Sequence, residues 1–108
     1  MPKQMLYGYV EGVFVSQADE VERLMDTVAT QCGFTVVKKS IHQFLPRGVT
    51  AVYTLAESHF ISTHTYDEEG RVYFDVFICS EKFEPLRCAE SIEAVFGATC
   101  GHWTIVAR

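Results

Sequence analysis

The 108-residue chain sets nine Lys and Arg against fourteen Asp and Glu, for a formal charge of −5 and a pI near 5.2. A nucleic-acid footprint needs clustered basic residues, and these nine are scattered, so the balance argues against that partner and suits a cationic small ligand. No apolar stretch approaches the ~20 residues that span a bilayer, and the first residues lack the charged-then-apolar order of a signal peptide, so one cytoplasmic domain over residues 1–108 is expected, with no membrane partner.

Residues 7–15 alternate loosely and are rich in aromatic and β-branched types, which predicts a strand. Ser16 with Asp19 resembles a capping box, and Val21, Leu24, Met25, Val28, Ala29 and Cys32 recur at helical spacing until Gly33. A second strand is predicted over 34–40, a turn over 45–48 and a third strand over 49–55. Residues 59–66 and 71–79 read as two more, joined by the turn-like 67–70. Pro85 suits the first turn of a helix, and Leu86, Ala89, Ile92, Val95 and Phe96 follow at helical spacing up to Gly97. A strand over 103–107 completes the order β-α-β-β-β-β-α-β. That order predicts an α+β fold: a two-layer sandwich of a mostly antiparallel sheet with both helices on one face, leaving the sheet edges or the uncovered face for a dimer.

The four cysteines, Cys32, Cys79, Cys88 and Cys100, show no CxxC spacing, so reduced thiols are expected in place of disulfides or a structural zinc centre. Cys100-Gly101-His102 is too compact to hold a metal by itself, and no metal site is expected.

Glu57-Ser58-His59 is the tripeptide that carries chemistry. A serine hydroxyl held against the preceding carbonyl can attack it, turning the Glu57–Ser58 amide into an ester. Elimination from that ester would free the Glu57 carboxylate and leave a dehydroalanine, which hydrolyses to a pyruvoyl group at the new amino terminus. Alone, the tripeptide also fits an ordinary turn. Its surroundings are more specific. From His42-Gln43-Phe44-Leu45-Pro46-Arg47-Gly48-Val49-Thr50, through Glu57-Ser58-His59 and His64-Thr65-Tyr66, to Phe74-Asp75-Val76-Phe77-Ile78-Cys79, the sequence resembles the small prokaryotic-type S-adenosylmethionine decarboxylase proenzymes.

Strand arithmetic places some of these residues. If 67–70 is a four-residue hairpin loop, Tyr66 pairs with Arg71 and Ser58 falls opposite Cys79, with β-carbons about 4.5–5.5 Å apart. A thiol there could protonate the carbanion left by decarboxylation, which is also the role the resemblance implies for Cys79. Six residues of extended chain, on the order of 20 Å, separate Ser58 from His64. Either the strand folds back or a second subunit supplies the histidine. A short loop at 56–58 would set Thr50 opposite or nearly opposite His64, making two half-sites that meet across a homodimer interface.

The resemblance implies further roles. Phe44 and Tyr66 would stack on the substrate's adenine, Glu68 would hold the ribose hydroxyls, and Thr50 and His64 would assist self-cleavage by bonding the intermediate and removing the serine α-proton. The cofactor would be the pyruvoyl group made from Ser58 by cleavage into 1–57 and 58–108, and the substrate S-adenosylmethionine, for polyamine synthesis. His59 reads as structural or orienting. The interval from Glu-Ser to histidine is one residue longer than the family's, which implies a β-bulge or shifted register near Ile61-Ser62-Thr63. Thr50 stands where serine is usual, Tyr66 where tryptophan is frequent, and the Gly-Arg-His opening is missing. Two alternatives stay open: the same chemistry on another amino acid such as arginine or ornithine, and a regulatory or binding paralogue that never cleaves.

Overall fold

The computed structural model describes residues 3–15, 17–44, 48–64 and 70–107, with only the backbone of His64. The strands are β1 (Gln4–Glu11), β2 (Val36–Gln43), β3 (Val49–Leu55), β4 (Ser58–His64), β5 (Val72–Ile78) and β6 (Cys100–Ala107), with apolar residues alternating along β3 and β5; helical spacing gives α1 (Ala18–Cys32) and α2 (Pro85–Phe96). The element order matches the predicted one. The strands form one antiparallel sheet in the order β2-β3-β4-β5-β1-β6.

One face of the sheet is dry. Leu6, Val10, Val49, Ala51, Tyr53, Leu55, Phe60, Val72, Phe74, Val76 and Ile78 lie on it, against Val21, Met25 and Val28 of α1 and Cys88, Ala89 and Ile92 of α2. Each large apolar side chain so buried is worth about 1.5–3 kcal/mol, so the two helices are held to this face. Both helices stop at glycine in the left-handed conformation, Gly33 at φ 72° and Gly97 at φ 67°, where the next amides bond back to the last turn. Tyr53 brings a hydroxyl into this layer. It donates to Asp26 Oδ1 (2.6 Å), and Asp26 also holds Lys39 Nζ at 2.9 Å. Burial alone would raise the Asp26 pKa, but the bonds from Tyr53 and Lys39 outweigh it and hold the carboxyl below its ordinary value.

Several boundaries and one cap differ from the sequence reading. The first strand ends at Glu11; Val13 and Val15 remain buried, but the Val13 amide bonds to Gly70 O, so the apolar alternation runs on after the backbone leaves the sheet. Gln17 stands at the N-cap of α1 with no side-chain cap, and the Ala18 amide instead donates to Gln43 Oε1 on β2 (2.8 Å). Ser16 lies outside the described residues. The bulge expected near 61–63 is not in β4, which pairs without interruption on both sides from Ser58 to His64. A separate register shift occurs between Val36 and Lys38 on the outer strand β2, where one edge is free to absorb it.

Candidate active site

Ala56 and Glu57 form the two-residue turn between β3 and β4, with Leu55 paired to Ser58 across it. Three bonds tie this turn to its surroundings. The Ala56 amide donates to Thr35 O (2.9 Å), the Thr35 amide donates to Glu57 Oε1 (3.0 Å), and the Cys79 amide donates to Glu57 O (2.9 Å). The last matters most for chemistry, because Glu57 O belongs to the carbonyl that the Ser58 hydroxyl would attack. A backbone N–H aimed at that oxygen polarises the carbonyl and offsets the negative charge that develops on it.

Ser58 itself has φ 148°, and it is the one non-glycine residue with positive φ among the described residues. A side chain at such a φ costs of order 1–3 kcal/mol and persists only where neighbouring structure imposes it. Here the imposing elements are the tight turn before Ser58 and the paired strands β3 and β5 on either side of it. The strain falls on the peptide unit that the chemistry would break.

The expected pairing of Ser58 with Cys79 is off by one residue. Ser58 lies opposite Ile78, and His64 opposite Val72, so an odd-numbered connection, residues 65–71, joins the paired ends of β4 and β5 where an even four-residue loop closing on Tyr66 and Arg71 was expected. Cys79 is therefore the residue just beyond the strand, half-buried, beside Glu57 by its backbone bond. The structure thus brings Glu57, Ser58 and Cys79 to one end of the sheet.

The other end holds the second group. Val49 pairs with His64 and Thr50 with Thr63, so Thr50 stands one residue out of register with His64. Thr50 also pairs with His42, whose ring meets that of Phe44 edge-on at 4.4 Å. Phe44 is 48% exposed, an aromatic face open to a ligand. Tyr66 and Glu68 lie outside the described residues. Since β4 is unbroken, Ser58 and His64 stand about 20 Å apart in one chain.

His59 is a cross-strand partner of β5, with Nε2 3.0 Å from Asp75 Oδ1 and its ring tilted against Phe77. This agrees with an orienting role. Sequence reasoning missed the uncovered face of the sheet as a site in its own right. Tyr7, Tyr9, Ile61, Thr63, Tyr73 and His102 help line a recess there of about 550 Å³. The signal was present as alternate aromatic and β-branched residues on β1, β4 and β5, but only the strand order shows that they converge.

A family model described as S-adenosylmethionine decarboxylase matches residues 6–108. The chain belongs to the S-adenosylmethionine decarboxylase family. Among its relatives is an S-adenosylmethionine decarboxylase proenzyme of Symbiobacterium thermophilum, 42% identical over 77 residues that cover 71% of this chain and 58% of that protein. Proteins of the same description from Methanococcus aeolicus and Fervidobacterium nodosum are 43% and 33% identical, covering 60% and 78% of this chain. The matches take in only 55% and 61% of those two proteins' own lengths. The fold is that of the crystal structure of the adenosylmethionine decarboxylase from Aquifex aeolicus, with a TM-score of 0.86 over 98% of this chain and 89% of that one, at 21% identity.

Proposed function

We propose that this chain is a self-processing, pyruvoyl-dependent decarboxylase of S-adenosylmethionine that works as a homodimer with shared sites. The observation that carries the proposal is the junction itself: a strained Ser58 whose preceding carbonyl accepts a bond from the Cys79 amide. Ser58 Oγ adds to the Glu57 carbonyl carbon while the Cys79 N–H holds the carbonyl oxygen, and collapse with loss of the amide nitrogen gives the ester. The partner's copy of His64 takes the Ser58 α-proton, with the Thr50 hydroxyl bonding the intermediate. The Glu57 carboxylate leaves, and water replaces nitrogen at the dehydroalanine with release of ammonia.

The pyruvoyl ketone so made supplies an electron sink for loss of carbon dioxide. The remaining work belongs to side chains. The Cys79 thiol returns a proton to the substrate α-carbon, Phe44 and Tyr66 hold the adenine and the sulfonium between aromatic faces, and Glu68 accepts from the ribose hydroxyls. A proton-transfer group such as His64 cannot reach its own Ser58 along a continuous strand, which supports a site completed by a second copy. The aromatic open face of the sheet suits that contact. The product retains an aminopropyl group and would feed polyamine synthesis in the cytoplasm. Among the described residues no helix is long and apolar enough to cross a membrane.

The experiment is to incubate purified chain, confirm cleavage, and follow carbon dioxide release from S-adenosylmethionine, arginine and ornithine in parallel. Release from S-adenosylmethionine alone is expected. Release from arginine or ornithine alone would reassign the substrate, and no cleavage at all would leave a paralogue that binds without processing.

A further inference from the structure

Away from the processing junction, three metal-ligating groups of different chemistry converge at the edge of the sheet. Glu11 is the last residue of β1 and pairs with Cys100, the first of β6; His102 follows two residues on, opposite Tyr9. Trp103 turns towards α2, where its Nε1 donates to Glu93 Oε2 (2.6 Å), so alternation sends Cys100 and His102 to the opposite, open face. Glu11 shares that face because Val10, its neighbour, is buried in the core. The carboxylate Oε1 lies 2.9 Å from His102 Nε2 and 3.8 Å from Cys100 Sγ, and Sγ lies 3.8 Å from the same Nε2.

The simplest alternative is a thiol activated by a histidine that a carboxylate orients. That relay needs the two partners on different ring nitrogens, the carboxylate on one and the thiol on the other. Here both meet Nε2, so the three donor atoms face a common point. Around a tetrahedral Zn²⁺ with ordinary bond lengths, sulfur would stand about 3.6 Å from nitrogen and oxygen, and these two about 3.4 Å apart. The observed separations differ from those by a few tenths of an ångström, the largest adjustment being to open the His102–Glu11 contact.

We propose that Glu11, Cys100 and His102 bind one divalent transition-metal ion of the zinc class, with a fourth position open. A thiolate, an imidazole and a carboxylate together favour that class over magnesium or calcium, which take oxygen ligands. Charge closes as well, since a thiolate and a carboxylate balance the two positive charges of the ion. Binding releases the thiol proton, so affinity falls as pH is lowered. The site is partly built before the ion arrives. Tyr9 stacks on the His102 ring at 4.7 Å and 25°, and the Thr99 amide and hydroxyl both donate to Glu11 O, at 2.9 and 3.2 Å. An ion there would clasp the edge strand β6 to β1.

The test titrates purified full chain with Zn²⁺ against a chromophoric chelator, and separately with Co²⁺ as a spectroscopic probe. One equivalent of tight Zn²⁺ per chain is expected, with a thiolate-to-cobalt charge-transfer band, a raised melting temperature, and loss of all three in Cys100→Ser and His102→Ala. Affinity in those variants should fall by more than the ~10–100-fold that loss of a ligand's supporting group costs. His42→Gln, a histidine change on the opposite edge strand β2, should bind as the unaltered chain does. Circular dichroism confirms that each variant is folded. A thiolate–cobalt band that survives Cys100→Ser, or Zn²⁺ stoichiometry and affinity unchanged in both ligand variants, overturns the site.

Discussion

The two ends of β4 are built in opposite ways. At Ser58 the chain is enclosed by its own backbone: a two-residue turn, flanking strands on both sides, and amides from Thr35 and Cys79 bonded to Glu57. At the far end, Thr50 and Phe44 present partly exposed side chains. Bond-breaking at a peptide needs fixed geometry that one chain can impose, whereas recognition of a substrate needs accessible faces that a second chain can complete. On the reading proposed above, self-processing would belong to the first end and substrate binding to the second.

The largest expected effects are at the enclosed end. Ser58→Ala should abolish cleavage, and Ser58→Gly should do the same while raising stability by about 1 kcal/mol, since glycine carries no side-chain penalty at φ 148°. Denaturant unfolding of the uncleaved variants measures this; a Ser58→Gly chain no more stable than Ser58→Ala would mean that no strain is stored there. Next come two substitutions at Cys79 that separate its amide from its thiol. Cys79→Pro removes both and should slow cleavage by ~10²–10³-fold, the usual cost of one such donor. Cys79→Ala keeps the amide and should cleave, yet turn over slowly or give wrongly protonated product. Equal cleavage rates in the two variants, with fold verified, would show that the amide contributes nothing.

How far these positions could be read beforehand depends on which physical signal carried them. Both helices and all six strands follow from local sequence signals, and Gly33 and Gly97 mark the helices' stops because a left-handed residue is a local requirement. The register did not follow, because it depends on the length of a connection, and one residue of error moved Ser58 from Cys79 to Ile78. The bulge expected in β4 is absent, since a central strand bonded on both sides resists an extra residue more than an edge does, and the register shift on β2 belongs to a different segment of the chain. Glu11 beside Cys100 was illegible for a related reason: 89 residues separate them, and only the pairing of β1 with β6 joins them. Phe44 and Thr50 were singled out by resemblance alone, and Tyr66 and Glu68 lie outside what the structure describes.

A mixed dimer sharpens the contrast between the ends. Ser58→Ala and His64→Ala chains should each process poorly alone, but co-expression should yield cleaved His64→Ala chains beside uncleaved Ser58→Ala chains, because one of the two sites pairs an intact serine with an intact histidine. Absence of cleavage in a confirmed mixed dimer would place both residues' action within one subunit. The smallest effect lies on α1, at the margin of the core. The Asp26 carboxyl is held below its unfolded value of 3.8, so the stability it lends is present above that pH and is lost as pH falls through the folded value. Its side chain is 43% exposed, so solvent screening limits this to about 1 kcal/mol. Asp26→Asn should therefore be less stable at neutral pH and lose the acid-dependent part of the melting curve; an unchanged pH dependence would remove Asp26 from that account.

Intact mass of the denatured chain after prolonged incubation tests self-processing most directly. Two fragments are expected, residues 1–57 ending in a free carboxylate and residues 58–108 lighter by one ammonia than a serine-ended fragment, the second blocked to amino-terminal sequencing. A single full-length mass, or a second fragment that begins with an ordinary serine, would contradict it.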